Sequence, residues 1–190
     1  MAANHDVIQG TGQEAEEVIL VDASDQPLGT MEKMQAHRIG ALHRAFSVFL
    51  FNNNREMLLQ QRALNKYHSP GLWSNACCSH PRPGEDVATA ASRRVKEELG
   101  IEVELHKLFH FTYTANLENG LIEHEFDHVF AGRYNGDIPF NDREVRAVKF
   151  ESPHELSAQI VQTPGEFTPW FRIAFSRVIE RWTEMSDHSA

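Results

Sequence analysis

Three histidines and two glutamates in this chain form a set of residue types that can bind a divalent metal ion. The histidines are His37, His43 and His80, and the glutamates are Glu123 and Glu125, which stand two residues apart. Imidazole nitrogens and carboxylate oxygens are common ligands of divalent cations in proteins. The five residues come from separate segments, so only the fold can bring them together. Their spacing alone does not establish a site.

The two glutamates lie in the segment Ile122–Phe126, which we predict to be part of a strand. Because side chains alternate between the two faces of a strand, Glu123 and Glu125 share one face, and Asp127 shares it with them. Neighbouring carboxylates repel each other unless a cation or a shared proton lies between them. A solvated strand face explains the same spacing, and Asp127 favours that alternative.

Two adjacent thiols, Cys77 and Cys78, lie between Trp73 and His80 in a segment that we predict to be a loop. Their adjacency disfavours a structural disulfide within the chain, so both are expected to be free. The prolines of the following segment 81–83 stiffen its approach to the next helix. The segment is therefore a candidate for holding a reactive side chain in a fixed position. The alternative is that the thiols are buried and only pack in the core.

The next segment predicts a helix from Asp86, as the N-cap, to Leu99, with Gly100 as its C-terminal stop. At about 100° per residue, Arg94 and Glu98 fall beside the apolar stripe of this helix rather than opposite it. An ordinary surface pair is the alternative, but an arginine four residues before a glutamate is the weaker order for such a pair. A role in binding metal and phosphate explains the placement better.

Composition narrows the class of protein. The chain has 190 residues, 41% of them hydrophobic, which is enough for one compact domain. Its net charge of −9 argues against a nucleic-acid binder, and its mean hydropathy of −0.44 argues against a membrane protein. The N-terminus lacks the features of a signal peptide, and free thiols fit a reducing compartment, so we expect a cytoplasmic protein.

The hydrophobic pattern predicts a mixed sheet flanked by helices, which is an α/β sandwich. A flexible N-terminal tail over residues 1–16 and a single domain over residues 17–186 are expected. Ala45–Phe51 is apolar on both faces, as in a central strand buried on both sides. The other predicted strands are Glu17–Ala23, Met57–Arg62, Val103–Ala115, Leu121–Tyr134 and Val145–Glu151.

Turn and cap signals join these strands and open two further helices. Asp25–Gly29 predicts a turn, and Asn119 followed by Gly120 predicts a hairpin. Ser152 begins a capping-box pattern with proline at the first helical position, which opens a short helix. The dipeptide at 168–169 opens the last helix.

Residues 79–101 resemble the Nudix pattern GX5EX7REUXEEXGU, in which U is a bulky aliphatic residue. The matching positions are Glu85, Arg93, Val95, Glu97, Glu98, Gly100 and Ile101. Ser79 replaces the opening glycine, and Arg94 replaces the first glutamate of the central run. The resemblance implies that this helix holds a diphosphate through divalent metal ions. A cation in place of that carboxylate still suits binding of a diphosphate but suits its hydrolysis poorly.

From about Gly29 to Trp170 the chain also resembles the type 1 isopentenyl-diphosphate isomerases, a non-hydrolytic Nudix branch. Several separated motifs occur in order at compatible distances. They are Thr30–Lys33 with His37, Leu42–Ser47, Arg62–Lys66, Pro70–Pro81, Tyr113, Glu123–Glu125 and Thr168–Trp170.

This resemblance implies a Nudix-type α/β/α sandwich that moves a double bond by a 1,3-proton shift, from isopentenyl to dimethylallyl diphosphate. Cys78, Glu125 and Tyr113 would be catalytic, with Cys77 a bystander, and Trp170 would offer a π face to a developing carbocation. The implied ligands of one Mg²⁺ or Mn²⁺ ion are His37, His43, His80, Glu123 and Glu125, and Glu98 would reach a second Mg²⁺. The implied cations around the diphosphate are Lys33, Arg62, Lys66 and Arg94.

The expected partner is a small prenyl diphosphate, with no nucleic acid and no membrane, and the expected state is a monomer or homodimer. No flavin is expected, because the sequence has no dinucleotide-binding or FMN-binding signature. A rival interpretation is a Nudix pyrophosphohydrolase acting on a small organic diphosphate, which Arg94 argues against. A rival of another class is a non-catalytic metal-binding or interaction domain with the same fold.

Overall fold

The computed structural model describes residues 16–187. Within that range the chain forms nine strands and four α-helices. The strands are β1 (Glu17–Val21), β2 (Pro27–Glu32), β3 (His43–Phe51), β4 (Met57–Arg62), β5 (Trp73–Asn75), β6 (Cys77–Ser79), β7 (His106–Asn116), β8 (Ile122–Arg133) and β9 (Val145–Glu151). The helices are α1 (Lys33–Ile39), α2 (Val87–Leu99), α3 (Pro153–Gln162) and α4 (Pro169–Asp187).

The strand β3 organises a mixed sheet. It pairs in parallel with β8 and antiparallel with β1, β4 and β6. The hairpin partner of β8 is β7, and β4 also pairs with β5 and β9. The short strand β2 extends the sheet beyond β1. The prediction of a mixed sheet is therefore confirmed.

Helices cover both faces of β3, which explains why its sequence is apolar throughout. Phe46, Val48 and Leu50 point to one face and pack with the buried side of α2. Phe49 and Phe51 point to the other face and pack with α4. Alternation along the strand sends successive apolar residues into two separate cores. The predicted α/β/α sandwich is confirmed.

The helix α2 begins and ends where the sequence predicts. Asp86 is its N-cap, and its carboxylate accepts a hydrogen bond from the Thr89 N–H at 3.0 Å. Gly100 ends the helix in the left-handed conformation, with φ of 71°. A Cβ atom at this position would stand 2.7 Å from the Pro139 carbonyl oxygen. Both the backbone angle and the close contact therefore require glycine.

The structure corrects the prediction in two places. The predicted turn Asp25–Gly29 is only a short turn, and β2 already begins at Pro27, followed directly by α1. The cysteine pair lies in the strand β6, not in a loop, with Cys78 opposite Ser47 of β3. The strand β6 has only three residues, and the first four residues of β2 are all exposed, so neither shows the alternation of polar and apolar residues that marks a strand.

The remaining predicted boundaries differ by one to three residues, and β4 and β9 agree with the prediction. Ser152 caps α3, α4 begins at Pro169, and Asn119 and Gly120 have positive φ in the β7–β8 hairpin. The predicted tail lies outside the described residues apart from Glu16, and the single domain over 17–186 stays a prediction. Among the described helices, none combines the length and hydropathy that a bilayer crossing requires.

Replacing Gly100 with alanine is expected to destabilise the protein more than replacing Gly84. Both glycines have positive φ, but a Cβ at Gly84 meets nothing within 4 Å. The backbone term alone costs about 1 kcal/mol in each variant, and the contact with Pro139 adds about 1–3 kcal/mol at Gly100. Chemical denaturation of the two variants measures this difference. Equal free energies of unfolding would contradict the steric account.

Candidate active site and metal centre

A cavity of about 400 Å³ opens where β6, β7 and β8 meet the loop that follows β4. Every predicted site residue lines it except His37 and His43, which lie buried behind it. The lining residues among the predicted set are Lys33, Arg62, Lys66, Cys78, His80, Arg94, Glu98, Tyr113, Glu123, Glu125 and Trp170. A larger cavity of about 840 Å³, beside the turn 52–55 and the end of α4, contains none of them.

Strand register places the central residues side by side. His43 on β3 lies beside Glu125 on β8 in the parallel pair. Tyr113 on β7 lies on the other side of Glu125. Cys78 on β6 is opposite Ser47 of β3, four residues beyond His43 and therefore on the same face of that strand. One face of the sheet thus carries a thiol, a phenol, a carboxyl group and an imidazole.

The candidate metal centre combines His37, His43, His80 and Glu123, whose ligand atoms all lie within 4.8 Å of one another. Nδ1 of His37 donates to the Lys33 carbonyl oxygen at 2.7 Å, and Nδ1 of His43 donates to the Ala41 carbonyl oxygen at 2.8 Å. These donations leave the Nε2 lone pairs of the neutral rings directed at the centre, as in metal-binding histidines.

Two atoms of this group are available to ligate a cation. His37 Nε2 and Glu123 Oε2 lie 3.2 Å apart, and both are buried without a hydrogen-bond partner among residues 16–187. His43 Nε2 and His80 Nε2 also face each other at 3.2 Å. Burial lowers the pKa of His43 to about 4 and that of His80 further, so both rings are neutral at neutral pH and each can offer a nitrogen lone pair to a cation. The donor set fits a divalent cation, for which bonds of about 2.1 Å are typical.

Glu125 lies at the edge of the same group. Its Oε1 is 3.0 Å from His80 Nε2 and 3.7 Å from His43 Nε2, and its Oε2 accepts a hydrogen bond from the Tyr113 hydroxyl at 2.6 Å. Burial raises the pKa of Glu125 well above its usual range, and the neighbouring Glu123 raises it further. This carboxyl group can therefore hold a proton at neutral pH in the metal-free protein.

The solvated-face alternative for β8 is wrong. Glu123, Glu125 and Asp127 are only 3%, 8% and 0% exposed. Asp127 accepts a hydrogen bond from Ser47 Oγ at 2.8 Å. All three carboxyl groups are buried, so each needs a hydrogen-bond donor, a cation or a proton to offset the cost of burial.

The Cys78 thiol lies in a pocket of hydrogen-bonding groups. Its S–H donates to Asn75 Oδ1 at 3.0 Å, and Ser47 Oγ lies 3.5 Å from the sulfur. The Asn75 amide group donates to the carbonyl oxygens of Val48 and Cys77 at 3.0 and 2.9 Å, which fixes its oxygen toward the thiol. Burial, with a further contribution from Asp127, raises the pKa of Cys78 to about 12.

The second thiol, Cys77, points the other way. Its side chain is fully buried and packs in the core beneath α2. It does not line the cavity, whereas Cys78 does. The inert-packing alternative therefore describes Cys77 and not Cys78.

Lys33, Arg62, Lys66 and Arg94 line the same cavity, and these four side chains are called the cationic wall below. Arg62 donates to the carbonyl oxygens of His68 and Ser69 at 3.1 and 3.2 Å. Lys66 pairs with Glu144. Lys33 lies over the ring of Tyr67, 4.8 Å from its centroid. These three side chains line one cavity although they come from separate elements of the fold.

Arg94 and Glu98 do form an ion pair, with Arg94 Nη2 2.5 Å from Glu98 Oε1. It is not an ordinary surface pair, because Glu98 is 2% exposed and both residues line the cavity. Glu144 lies 3.6 Å from the same guanidinium group. The predicted placement of this pair toward the protein interior is confirmed.

Trp170 lies at the first turn of α4 and is buried. Its indole N–H donates to Ser74 Oγ at 3.0 Å, and the Arg62 guanidinium lies over its ring at 5.3 Å. Thr168, just before the helix, is tied to β5 because its N–H donates to the Trp73 carbonyl oxygen at 2.9 Å. These contacts fix the helix start, and with it Trp170, against the cavity.

Sequence inspection missed His68, Asn75, Ser47 and Ser74. His68 lies in the loop after β4, and its Nε2 is 3.0 Å from Glu123 Oε1. An isolated histidine in a loop carries no spacing signal, and its neighbour Lys66 is predicted only through the family resemblance. Asn75 and the two serines are neutral residues in short or buried strands, where a polar residue is noticeable only once its burial is known.

Comparison with known proteins agrees with this geometry. The NUDIX domain family model matches residues 41–171, so the chain belongs to the Nudix domain family. A solved structure of DR0079 from Deinococcus radiodurans has the same fold, with a TM-score of 0.66 and 21% sequence identity, over 78% of this chain and 90% of that one.

Relatives with higher sequence identity show which branch of the Nudix domain family the chain belongs to. The chain is 49% identical over 167 residues to an isopentenyl-diphosphate Delta-isomerase from Pectobacterium atrosepticum, covering 87% of this chain and 93% of that protein. It is 50% identical over 164 residues to isopentenyl-diphosphate Delta-isomerase 1 from Aromatoleum aromaticum, covering 86% and 93%. The chain belongs to the isopentenyl-diphosphate Delta-isomerase family.

The environment of Cys78 predicts a thiol that resists alkylation. With a pKa of about 12, the group is protonated below that pH, so its thiolate fraction at about pH 9 is on the order of a thousandfold lower than that of a free thiol. The test is the rate of alkylation against pH in a metal-free Cys77→Ala variant, which retains one thiol. A reaction profile with a midpoint near the free-thiol value of about 8.5 would contradict the prediction.

Proposed function

We propose that this chain isomerises isopentenyl diphosphate to dimethylallyl diphosphate, with Cys78 and Glu125 as the two proton-transferring groups. One observation carries the proposal. The Cys78 thiol and the Glu125 carboxyl group line the same cavity as the four side chains of the cationic wall. A five-carbon unit anchored by its diphosphate would lie between the thiol and the carboxyl group.

The reaction requires one proton to be added to the terminal alkene carbon. Another proton is removed from the methylene group that lies between the substituted alkene carbon and the carbon bearing the diphosphate. The alkene is unactivated, so the path runs through a tertiary carbocation or a state close to it. A protonated thiol can give a proton to the alkene, and a carboxyl group with a raised pKa can give a proton or, once ionised, accept one. Tyr113 donates to Glu125 Oε2 and holds that carboxyl group in place.

The diphosphate is held by the cationic wall, which would convert its binding energy into orientation of the alkene. Arg62 is fixed by two backbone carbonyl groups, and Arg94 is fixed by the buried Glu98. Lys33 and Lys66 add charge at the rim. Because Arg94 stands where a hydrolase of this fold has a glutamate, the wall favours binding of the diphosphate over its cleavage.

A divalent cation, Mg²⁺ or Mn²⁺, would be held by His37, His43, His80, Glu123 and Glu125. When bound there, it supplies positive charge that tunes the acidity of Glu125 and Tyr113. Glu98, together with the diphosphate oxygens, would hold a second Mg²⁺. The orphaned His37 and Glu123 atoms support the first of these two sites.

Trp170 would stabilise the developing positive charge through its ring, a contact of about 2 kcal/mol or more when water is excluded. Exclusion matters because water would trap a carbocation as an alcohol. The helix α4, which begins at this residue, covers one side of the cavity. Two free thiols support a reducing cytoplasmic environment, and a monomer or homodimer remains our expectation.

Cys78→Ala and Glu125→Gln are each expected to lower kcat by about 10²–10⁴-fold or more, because each removes a group that transfers a proton. The matched control is Cys77→Ala, whose side chain lies beneath α2 away from the cavity, so its activity should stay within a few-fold of the parent. Separation of the two prenyl diphosphates after incubation measures the rates.

Circular dichroism of the three variants checks that the fold is retained. Loss of isomerisation in Cys77→Ala alone would show that Cys77 is the catalytic thiol and that the assignment to Cys78 is wrong. Release of inorganic phosphate from isopentenyl diphosphate, with no isomerised product, would favour the hydrolase alternative.

A further inference from the structure

His68 is a buried imidazole that the proposed reaction does not use. It lies in the loop between β4 and β5, is 3% exposed, and contacts the edge of Trp170 at a centroid distance of 5.6 Å. Its Nε2 is 3.0 Å from Glu123 Oε1. It is not part of the group of His37, His43, His80 and Glu123, whose ligand atoms lie together. A histidine beside a candidate ligand, rather than among the ligands, suits a supporting role.

The two oxygens of Glu123 have different neighbours. Oε1 lies against His68, while Oε2 lies 3.2 Å from His37 Nε2 and lacks a hydrogen-bond partner among residues 16–187. The last torsion of a glutamate side chain is soft, so the carboxylate is not held by its own rotamer preference. A donor on Oε1 stops this rotation and leaves Oε2 directed at the metal centre.

The loop that carries His68 is held in place without its imidazole. The His68 and Ser69 carbonyl oxygens accept hydrogen bonds from Arg62 at 3.1 and 3.2 Å. The Ser69 N–H donates to the Glu118 carboxylate in the β7–β8 hairpin. These contacts use the backbone, so replacing the side chain of His68 leaves the loop and Arg62 in place.

We propose that His68 is a positioning residue for the metal centre. Its Nε2–H donates to Glu123 Oε1 and thereby presents Oε2 to the cation as a single fixed ligand. The role deepens the proposed function, because the cation it serves is the one assigned to that site. It acts through Glu123 and touches neither the alkene nor the diphosphate.

The test compares the affinity for Mn²⁺ of the purified full chain and its variants, measured without substrate by calorimetric titration. His68→Phe keeps an aromatic ring but removes the donor, and it should weaken Mn²⁺ binding about 10–100-fold. His68→Gln places an amide N–H near the lost Nε2–H and should restore most of the affinity. His110→Phe, an exposed ring stacked on Phe126, is the control and should bind as the parent does.

Kinetics provide a second readout. Because Arg62 is held by backbone carbonyl groups, His68→Phe at saturating Mn²⁺ should leave KM for the diphosphate near that of the parent. At limiting Mn²⁺ its kcat should fall with the occupancy of the site. Thermal unfolding of the metal-free variants checks that the Phe and Gln substitutions fold equally well.

Equal Mn²⁺ affinity in the parent and in His68→Phe would overturn the role of His68. Loss of affinity in both His68 variants would also overturn it, because the N–H donor that His68→Gln restores would then not restore Mn²⁺ binding. These outcomes differ from failure of the proposed function. A chain that binds Mn²⁺ as expected but does not isomerise refutes the reaction and leaves the role of His68 standing, whereas a parent that binds no Mn²⁺ refutes both.

Discussion

Three carboxyl groups lie buried side by side on one face of β8, and their mutual repulsion is the constraint that organises this site. The neighbours of each carboxyl group shift its pKa differently. Burial opposes ionisation of Glu123, but His37 and His68 hold its pKa well below the usual range. Burial raises the pKa of Glu125 well above that range, and raises that of Asp127 to about 7. One strand face therefore holds one ionised carboxylate beside two that favour protonation, a division that suits proton transfer next to a cation.

The same constraint explains why the site draws on so many elements. Neutralising Glu123 requires imidazoles from α1 and from the loop after β4, and Glu125 requires Tyr113 from β7 and His80 from the end of β6. Asn75, held by two backbone carbonyl groups, accepts a hydrogen bond from the Cys78 thiol and fixes its orientation. The proposed acid and base are thus controlled by buried neighbours, while the proposed diphosphate contacts belong to the cationic wall.

Much of this arrangement was predictable where the chain carries strong local signals. Asp86 and Gly100 bound α2, and the run Ala45–Phe51 indicates a strand buried on both faces. The family resemblance supplied the site residues, and the structure brings them into or beside one cavity, although their roles remain proposals. The strands β2 and β6 show no alternation of polar and apolar residues, because β6 has only three residues and the first four residues of β2 are all exposed. His68 and the burial of the carboxylates were missed because both depend on contacts between separate segments of the chain, such as that of His68 with Glu123.

Incubation of the purified protein with isopentenyl diphosphate in heavy water tests the account most directly. If two exchangeable groups add and remove protons while the diphosphate stays intact, dimethylallyl diphosphate will carry deuterium from the solvent and no inorganic phosphate will appear. Product without deuterium would contradict the pairing of Cys78 with Glu125, and phosphate release without isomerised product would contradict the isomerase assignment itself.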